Sequence, residues 1–303
     1  MTRIRRKVAV IGLGSMGLGM AKTLVAQTWD VSGCDISETA REQLQRAGGK
    51  VMGTPQTAAS GCPVVLCVVV NAAQTKTILF GDDGVAGGMD PGAVFVSCAT
   101  MNPDAARGLA ERLERQGVHY LDAPISGGAK KAATGELSVM ASGSAEAFAA
   151  AAPVLKAIAE KVHHLGDRPG AGASFKMINQ LLAGVHIAAA CEAMALAAKM
   201  GLDLEAVYEV IRGSAGNSWM FENRVPHILA GDYTPLSAVE IFVKDLGIVQ
   251  DIARSERFPA PLTAAALQMY LATAGVGMGK DDDSSLARIY AQLSGAKLPE
   301  TSD

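Results

Sequence analysis

The sequence predicts an α/β half, built on a mostly parallel sheet, followed by an all-α half. Short β-branched runs recur up to about Gly166 and then stop. Helical patterns separate those runs, and near-continuous apolar strands alternating with helices imply a parallel sheet covered on both faces. Beyond Gly166 every periodic segment reads as helix. With 303 residues the chain is long enough for two domains, and the change in pattern sets them at 1–167 and 168–303.

Taken in order, the strand candidates are "KVAVIGL" (7–13), "DVSGCD" (30–35), "CPVVLCVVV" (62–70), "AVFVSCA" (93–99) and "VHYLDA" (118–123). "ELSVMASG" and "KVHHL" add strands at the end of the sheet. "GMAKTLVAQ" (19–27) and "PDAARGLAERLERQG" (103–117) carry helical spacing. The second half opens with the long apolar stretch from Gly170 to Gly201, with Gly201 as its C-cap. "LDLEAVYEVIRGS", "SWMFENRVPHILAG", "AVEIFVKDLGIVQDIARSE", "APLTAAALQMYLATAG" and "SSLARIYAQLS" follow as helices, with Pro259 and Pro261 breaking between two of them. The long stretch is the one segment with the length of a membrane span; His186, Glu192 and Lys199 interrupt it, so it reads as a buried soluble helix.

Composition excludes several classes. Hydrophobic residues make up 49% and charged residues 19%, as in ordinary soluble proteins. A net charge of −3 implies no attraction to nucleic acid or anionic membrane. The basic start "MTRIRR" precedes an apolar run but leads into a glycine turn, not a small-residue cleavage site, and reads as a strand entering a loop. Cys34, Cys62, Cys67, Cys98 and Cys191 are odd in number and form no C-x-x-C; they read as reduced core residues of a cytoplasmic protein. His163-His164 has no acid or cysteine at ligand spacing, so no metal is expected. "KDDDSS" (280–285) reads as a solvated loop and helix start, Met177, Met194 and Met200 as core filler, and "LPETSD" as a loose tail.

"GLGSMG" places Gly12, Gly14 and Gly17 in a G-x-G-x-x-G pattern enclosing Leu13, Ser15 and Met16. With 33 glycines, such a match arises by chance roughly 0.3–0.4 times in a chain this size. Context raises it: a strand precedes, a helix follows, and Asp35 ends the next strand. Gly12 suits the tight turn, Gly14 the approach of a pyrophosphate, Gly17 close helix packing, and the helix amides the phosphates. A carboxylate at Asp35 accepts bonds from ribose hydroxyls and repels a 2′-phosphate; Ile36, Ser37 and Glu38 supply no arginine, so NAD is expected over NADP. Asn71 and Thr100 follow strand ends, where they either meet the cofactor or cap loops. "DAPISGG" sets Ser126, Gly127 and Gly128 in a tight turn suited to a carboxylate, or in a turn without ligand.

Lys176 is out of place at the start of a greasy helix. Lys176, Asn179, Gln180 and Ala183 share one face, which continues as Ile187, Ala190 and Met194. The helix dipole disfavours a cation there by about 0.3–1 kcal/mol. With partial desolvation the same field makes the amine a usable proton acceptor; the plainer reading is a snorkelling lysine.

Together these residues resemble the β-hydroxyacid dehydrogenase family, whose best-known member is 3-hydroxyisobutyrate dehydrogenase. "VAVIGLGSMGLGMAKTL", "DAPISGGAKKAATGELSVM", "GAGASFKMINQ" and "IFVKDLGIV" are similar to its cofactor, substrate, catalytic and C-terminal motifs, and the likeness covers nearly the whole chain. It implies a Rossmann-type domain, a long interdomain helix, a helical domain, and a homodimer or homotetramer. It implies Lys176 as the catalytic residue, Ser126–Gly128, Asn179 and Gln180 as substrate-binding, and Thr100 and Lys244 as cofactor-contacting. The family's usual Lys-x-x-Asn-Asn is here Lys-x-x-Asn-Gln. "INQLLAGVHIAAACEAMAL", "SAGNSWMFENRVPHILAGDYTPLSA" and "VVNAAQT" resemble the branch that oxidises L-threonate at C2. The implied alternatives are a 3-hydroxyisobutyrate dehydrogenase or a tartronate semialdehyde or glyoxylate-type reductase. A 6-phosphogluconate dehydrogenase would need a longer helical half. A silent NAD-binding sensor or scaffold would need only the glycine motif and Asp35.

Overall fold

The computed structural model describes residues 6–300; the basic start at 1–5 and the end of the tail at 301–303 lie outside the described residues. The chain divides into two compact units, Met1–Lys176 and Met177–Asp303.

The first unit runs β1 (Lys7–Ile11), α1 (Ser15–Ala26), β2 (Asp30–Cys34), α2 (Glu38–Arg46), β3 (Lys50–Val51), α3 (Pro55–Ala59), β4 (Val64–Cys67), α4 (Ala72–Phe80), β5 (Val94–Ser97), α5 (Pro103–Glu114) and β6 (His119–Asp122). These strands form one six-stranded sheet in the order β3-β2-β1-β4-β5-β6, all pairs parallel. Val8 and Val10 of β1 enter one apolar cluster, Ala9 and Ile11 the other. A strand buried on both faces needs no polar alternation, which is why these segments read as continuous apolar runs. The order reverses between β1 and β4, the switch point where such sheets bind ligands.

The unit continues through β7 (Ile125–Ser126), α6 (Gly128–Thr134), β8 (Leu137–Ala141), α7 (Ala145–Ile158) and β9 (Ala159–His164). Here the structure differs from the sequence reading. β8 and β9 do not extend the main sheet; with β7 they form a second sheet in the order β7-β8-β9, antiparallel then parallel. Pro124, which cannot donate to a ladder, interrupts the chain after β6, and pairing restarts in a new sheet. β3 and β7, at two residues each, are too short to show any period.

The helix α8 (Ala171–Lys199) begins in the first unit and runs into the second, which adds α9 (Leu204–Arg212), α10 (Trp219–Ala230), α11 (Val239–Ser255), α12 (Pro261–Thr273) and α13 (Leu286–Ser294). Gly201 follows α8 at φ +72°, the left-handed cap that glycine permits. By length and composition α8 is apolar enough to cross a membrane, and 50% of its most apolar window is buried in the fold. Met177 and Met194 lie in the core as the sequence implies, but Met200 is exposed.

The "KDDDSS" run is a second correction. Asp282, Asp283, Ser284 and Ser285 are fully buried. Arg224, itself buried in α10, pairs with Asp283 through Nε and through Nη2 at 3.1 Å. Asp282 accepts from the Leu236 amide at 3.0 Å and the Ser284 hydroxyl at 2.7 Å. A partner 59 residues away reverses what local charge density implies. All five cysteines are buried free thiols; burial pushes Cys98 up to about 12 and Cys67 and Cys191 higher still, so they are inert near neutral pH.

Candidate active site

The loops after β1, β2, β4, β5 and β6 all leave carboxyl ends of parallel strands and therefore open on one edge of the sheet. The glycine loop shows why each glycine is there. A Cβ on Gly12 (φ +91°) would lie 2.2 Å from the Val68 carbonyl, and one on Gly17 would lie 1.9 Å from the Gly12 carbonyl. One on Gly14 would meet nothing within 4 Å, so open space faces that residue. Ser15 and Met16 begin α1, whose first turn has no side-chain cap and no acid. Free amides beside open space suit a pyrophosphate, so the residues present fit a dinucleotide. Leu13 is buried, and its amide donates to Asp35 Oδ2.

Asp35 therefore does more than end a strand. Its Oδ1 accepts from the Ser37 amide at 2.7 Å, so one carboxylate ties the loops after β1 and β2 together. Arg41, one turn into α2, donates to the carbonyls of Asp35 (2.8 Å) and Ile36 (3.1 Å). Asn71, after β4, caps α4 by accepting from the Gln74 amide at 2.9 Å. Thr100 lies half-buried between β5 and α5.

After β6 the chain makes the Ser-Gly-Gly turn. Ser126 is half-buried in β7, and Gly127 and Gly128 take φ +132° and +71°, a conformation that favours glycine. This turn starts α6, and α6 is locked onto α1. A Cβ on Gly19 would lie 3.0 Å from the Ala133 amide nitrogen, and Thr23 Oγ1 donates to the Ala132 and Ala133 carbonyls at 3.2 and 3.0 Å. The helix behind the dinucleotide loop thus sets the position of the helix behind the Ser-Gly-Gly turn.

At the start of α8, Asp122 Oδ2 accepts from the Gly170 amide (2.9 Å), the Ala173 amide (2.8 Å) and the Ser142 hydroxyl (3.2 Å). Burial raises the Asp122 carboxyl above its ordinary value, and those donors offset part of that rise. One turn on, Lys176 is only 7% exposed, so the amine does not point into bulk solvent. In the second unit, Asn179 is half-buried and donates to Gln180 Oε1 at 2.8 Å. Gln180 Nε2 donates to Asp245 Oδ2 at 2.6 Å, and Lys244 pairs with the other Asp245 oxygen. Gln180 thus has both ends of its amide engaged, and it orients Asn179.

Sequence reasoning missed Asp122, Ser142, Asp245 and Arg41 as working parts. Two of them stood inside the motifs already singled out: Asp122 opens "DAPISGG" and Asp245 follows Lys244 in "IFVKDLGIV". Both are 1% exposed. An acid embedded in an apolar motif is seldom buried without partners, which was the available signal.

Comparison with known proteins bears on these arrangements. Residues 7–166 match the model of the NAD binding domain of 6-phosphogluconate dehydrogenase, and residues 170–290 match that of the NAD-binding domain of NADP-dependent 3-hydroxyisobutyrate dehydrogenase. The chain is 53% identical, over 97% of its length and 98% of the relative's, to L-threonate dehydrogenase of Cupriavidus necator. It is 48% identical, over 96% of each chain, to L-threonate dehydrogenase of Escherichia coli K12. Among solved structures, a 3-hydroxyisobutyrate dehydrogenase from Salmonella typhimurium superimposes with a TM-score of 0.90 at 47% identity, covering 93% of this chain and 99% of that one.

Proposed function

We propose, from the premise that the chain belongs to the NAD-binding dehydrogenases of the 3-hydroxyisobutyrate dehydrogenase family, that it is an NAD-dependent L-threonate dehydrogenase. It is an oxidoreductase acting on the CH–OH of a small hydroxyacid with a nicotinamide cofactor. The observation that carries the substrate is identity of 47–53% to several L-threonate dehydrogenases across nearly the whole chain.

In this reading Gly12–Gly17 and Asp35 hold the dinucleotide, aided by Thr100 and Lys244. NAD held there would supply the acceptor for the hydride that leaves C2 of the substrate. Ser126, Gly127 and Gly128 hold the substrate carboxylate with amides and a hydroxyl. Lys176 takes the proton of the C2 hydroxyl, leaving a 2-oxo acid, and in reverse its ammonium polarises the carbonyl. Asn179 hydrogen-bonds the substrate, and Gln180 with Asp245 keeps Asn179 in one rotamer. Asp35 favours NAD by repelling a 2′-phosphate, against the pull of nearby Arg41.

Absorbance at the NADH band, with L-threonate, erythronate, 3-hydroxyisobutyrate and glycerate compared at equal concentration, tests this. L-threonate with NAD is expected to give the highest kcat/KM, and NADP at least about tenfold less, since one unfavourable charge contact is worth about a decade. A preference for 3-hydroxyisobutyrate would instead favour the second reading, which the name of the Salmonella structure supports.

A homo-oligomer belongs to the same proposal. Phe175, Ile178, Leu182 and Leu196 of α8 are 55%, 61%, 49% and 59% exposed, an apolar stripe at helical spacing. A second copy covering this stripe gives a mass at least twice 31.2 kDa by light scattering; a monomer at micromolar concentration refutes it. The buried, reduced thiols fit a cytoplasmic enzyme.

A further inference from the structure

We propose that Asp122 is a positioning residue for Lys176: it holds the first turn of the helix that carries the lysine and, through the short Ala123–Ile125 link, keeps that turn in register with Ser126–Gly128. This rests on the role of Lys176 proposed above.

The first argument is that α8 has no cap of its own. The residue before it is Gly170, and a Cβ there would lie 2.6 Å from Arg107 Nη1 and 3.3 Å from the Pro103 carbonyl. A Cβ on Gly172 would lie 2.3 Å from the Met140 carbonyl and 2.9 Å from that of Asp122. The helix start is pressed against the ends of β6 and β8, with glycines where any side chain would collide. Its orphan amides must therefore be satisfied from elsewhere. Asp122 takes those of Gly170 and Ala173, and Ser142, bonded to Asp122, takes that of Gly172 at 2.9 Å.

The second argument is where Asp122 stands. It is the last residue of β6, hydrogen-bonded backbone to backbone with Ser142 in both directions at 3.0 and 2.8 Å. Four residues further along the chain lies Ser126, and three residues beyond Ala173 lies Lys176. One helical turn is about 5.4 Å, so a slip of the cap moves the lysine directly. Arg107 of α5 attracts the carboxylate from outside the cap. Three donors on one oxygen define the carboxylate's position more tightly than a single capping bond would.

The test uses the full chain with NAD and three variants: Asp122→Ala, Asp122→Asn and Ser142→Ala. Misplacing a catalytic group by about 1 Å costs about 10²-fold, and loss of a supporting partner 10–100-fold. Asp122→Ala is therefore expected to lower kcat by about 10–100-fold with NADH affinity and substrate KM unchanged. Asp122→Asn keeps an oxygen where the donors converge and is expected to recover most of that loss. Ser142→Ala is expected to show a smaller loss of the same kind. A cap that served stability alone would lower Tm and leave kcat at 25 °C as in wild type, which overturns the proposal. If Asp122→Ala does not fold, Ser142→Ala decides, and wild-type kcat in it overturns the proposal. If the wild-type chain does not oxidise L-threonate, the substrate reading has failed separately. The same kcat comparison is then made with whichever hydroxyacid of the panel the wild-type chain oxidises, and wild-type kcat in the variants, or amide hydrogen exchange over 170–176 equal to wild type, overturns the proposal.

Discussion

Lys176→Ala is expected to reduce kcat for L-threonate oxidation by about 10²–10⁴-fold, the range typical of general acid–base groups, while NADH titration by fluorescence shows unchanged affinity. The second half of that statement follows from position. The dinucleotide residues proposed lie on the loops after β1, β2 and β5 and on α11, and none of them is on α8, which carries Lys176. Lys176→Arg separates charge from proton transfer. A guanidinium keeps the cation but does not lose its proton in a protein, so it cannot act as the base. The arginine variant is therefore expected to be about as inactive as the alanine one in the oxidative direction. Near-normal turnover in either variant would remove Lys176 from the mechanism.

The second large effect is on stability. Arg224→Ala leaves Asp283, fully buried, without its guanidinium partner. Breaking a buried pair from one side costs about 3–5 kcal/mol, because an uncompensated charge stays in the core. Equilibrium urea unfolding is expected to show a loss of that size. Asp283→Ala should cost a similar amount, and the double variant less than the sum of the two, since neither then strands a charge. A loss below about 1 kcal/mol for Arg224→Ala would mean the pair behaves as a solvated surface bridge.

How far these residues were legible beforehand varied with the range of the forces involved. The glycine loop was legible because three glycines at fixed spacing between a strand and a helix are a local signal: a Cβ on Gly17 would lie 1.9 Å from the Gly12 carbonyl, within the same loop, although the limit at Gly12, 2.2 Å from the Val68 carbonyl, comes from the end of β4. Lys176 was legible as an anomaly, a cation on an apolar face, and it is buried as that reading requires. The resemblance implies Gln180 as a substrate ligand; what no spacing foretold is that its amide donates to Asp245, 65 residues on. The dipole argument for Lys176 treated the helix start as bare, whereas Asp122 occupies it from 48 residues before Gly170.

The order of strands and helices, the doubly covered sheet and the glycine turn are written in periodicity and in φ angles that single residues must adopt, so the linear chain specifies them. Which acids are buried, which amide is engaged, and who caps α8 depend on groups brought together across dozens of residues. Those contacts exist only once the chain has folded, because burial makes an unpaired polar group costly and leaves its partner to be found in space, not in sequence.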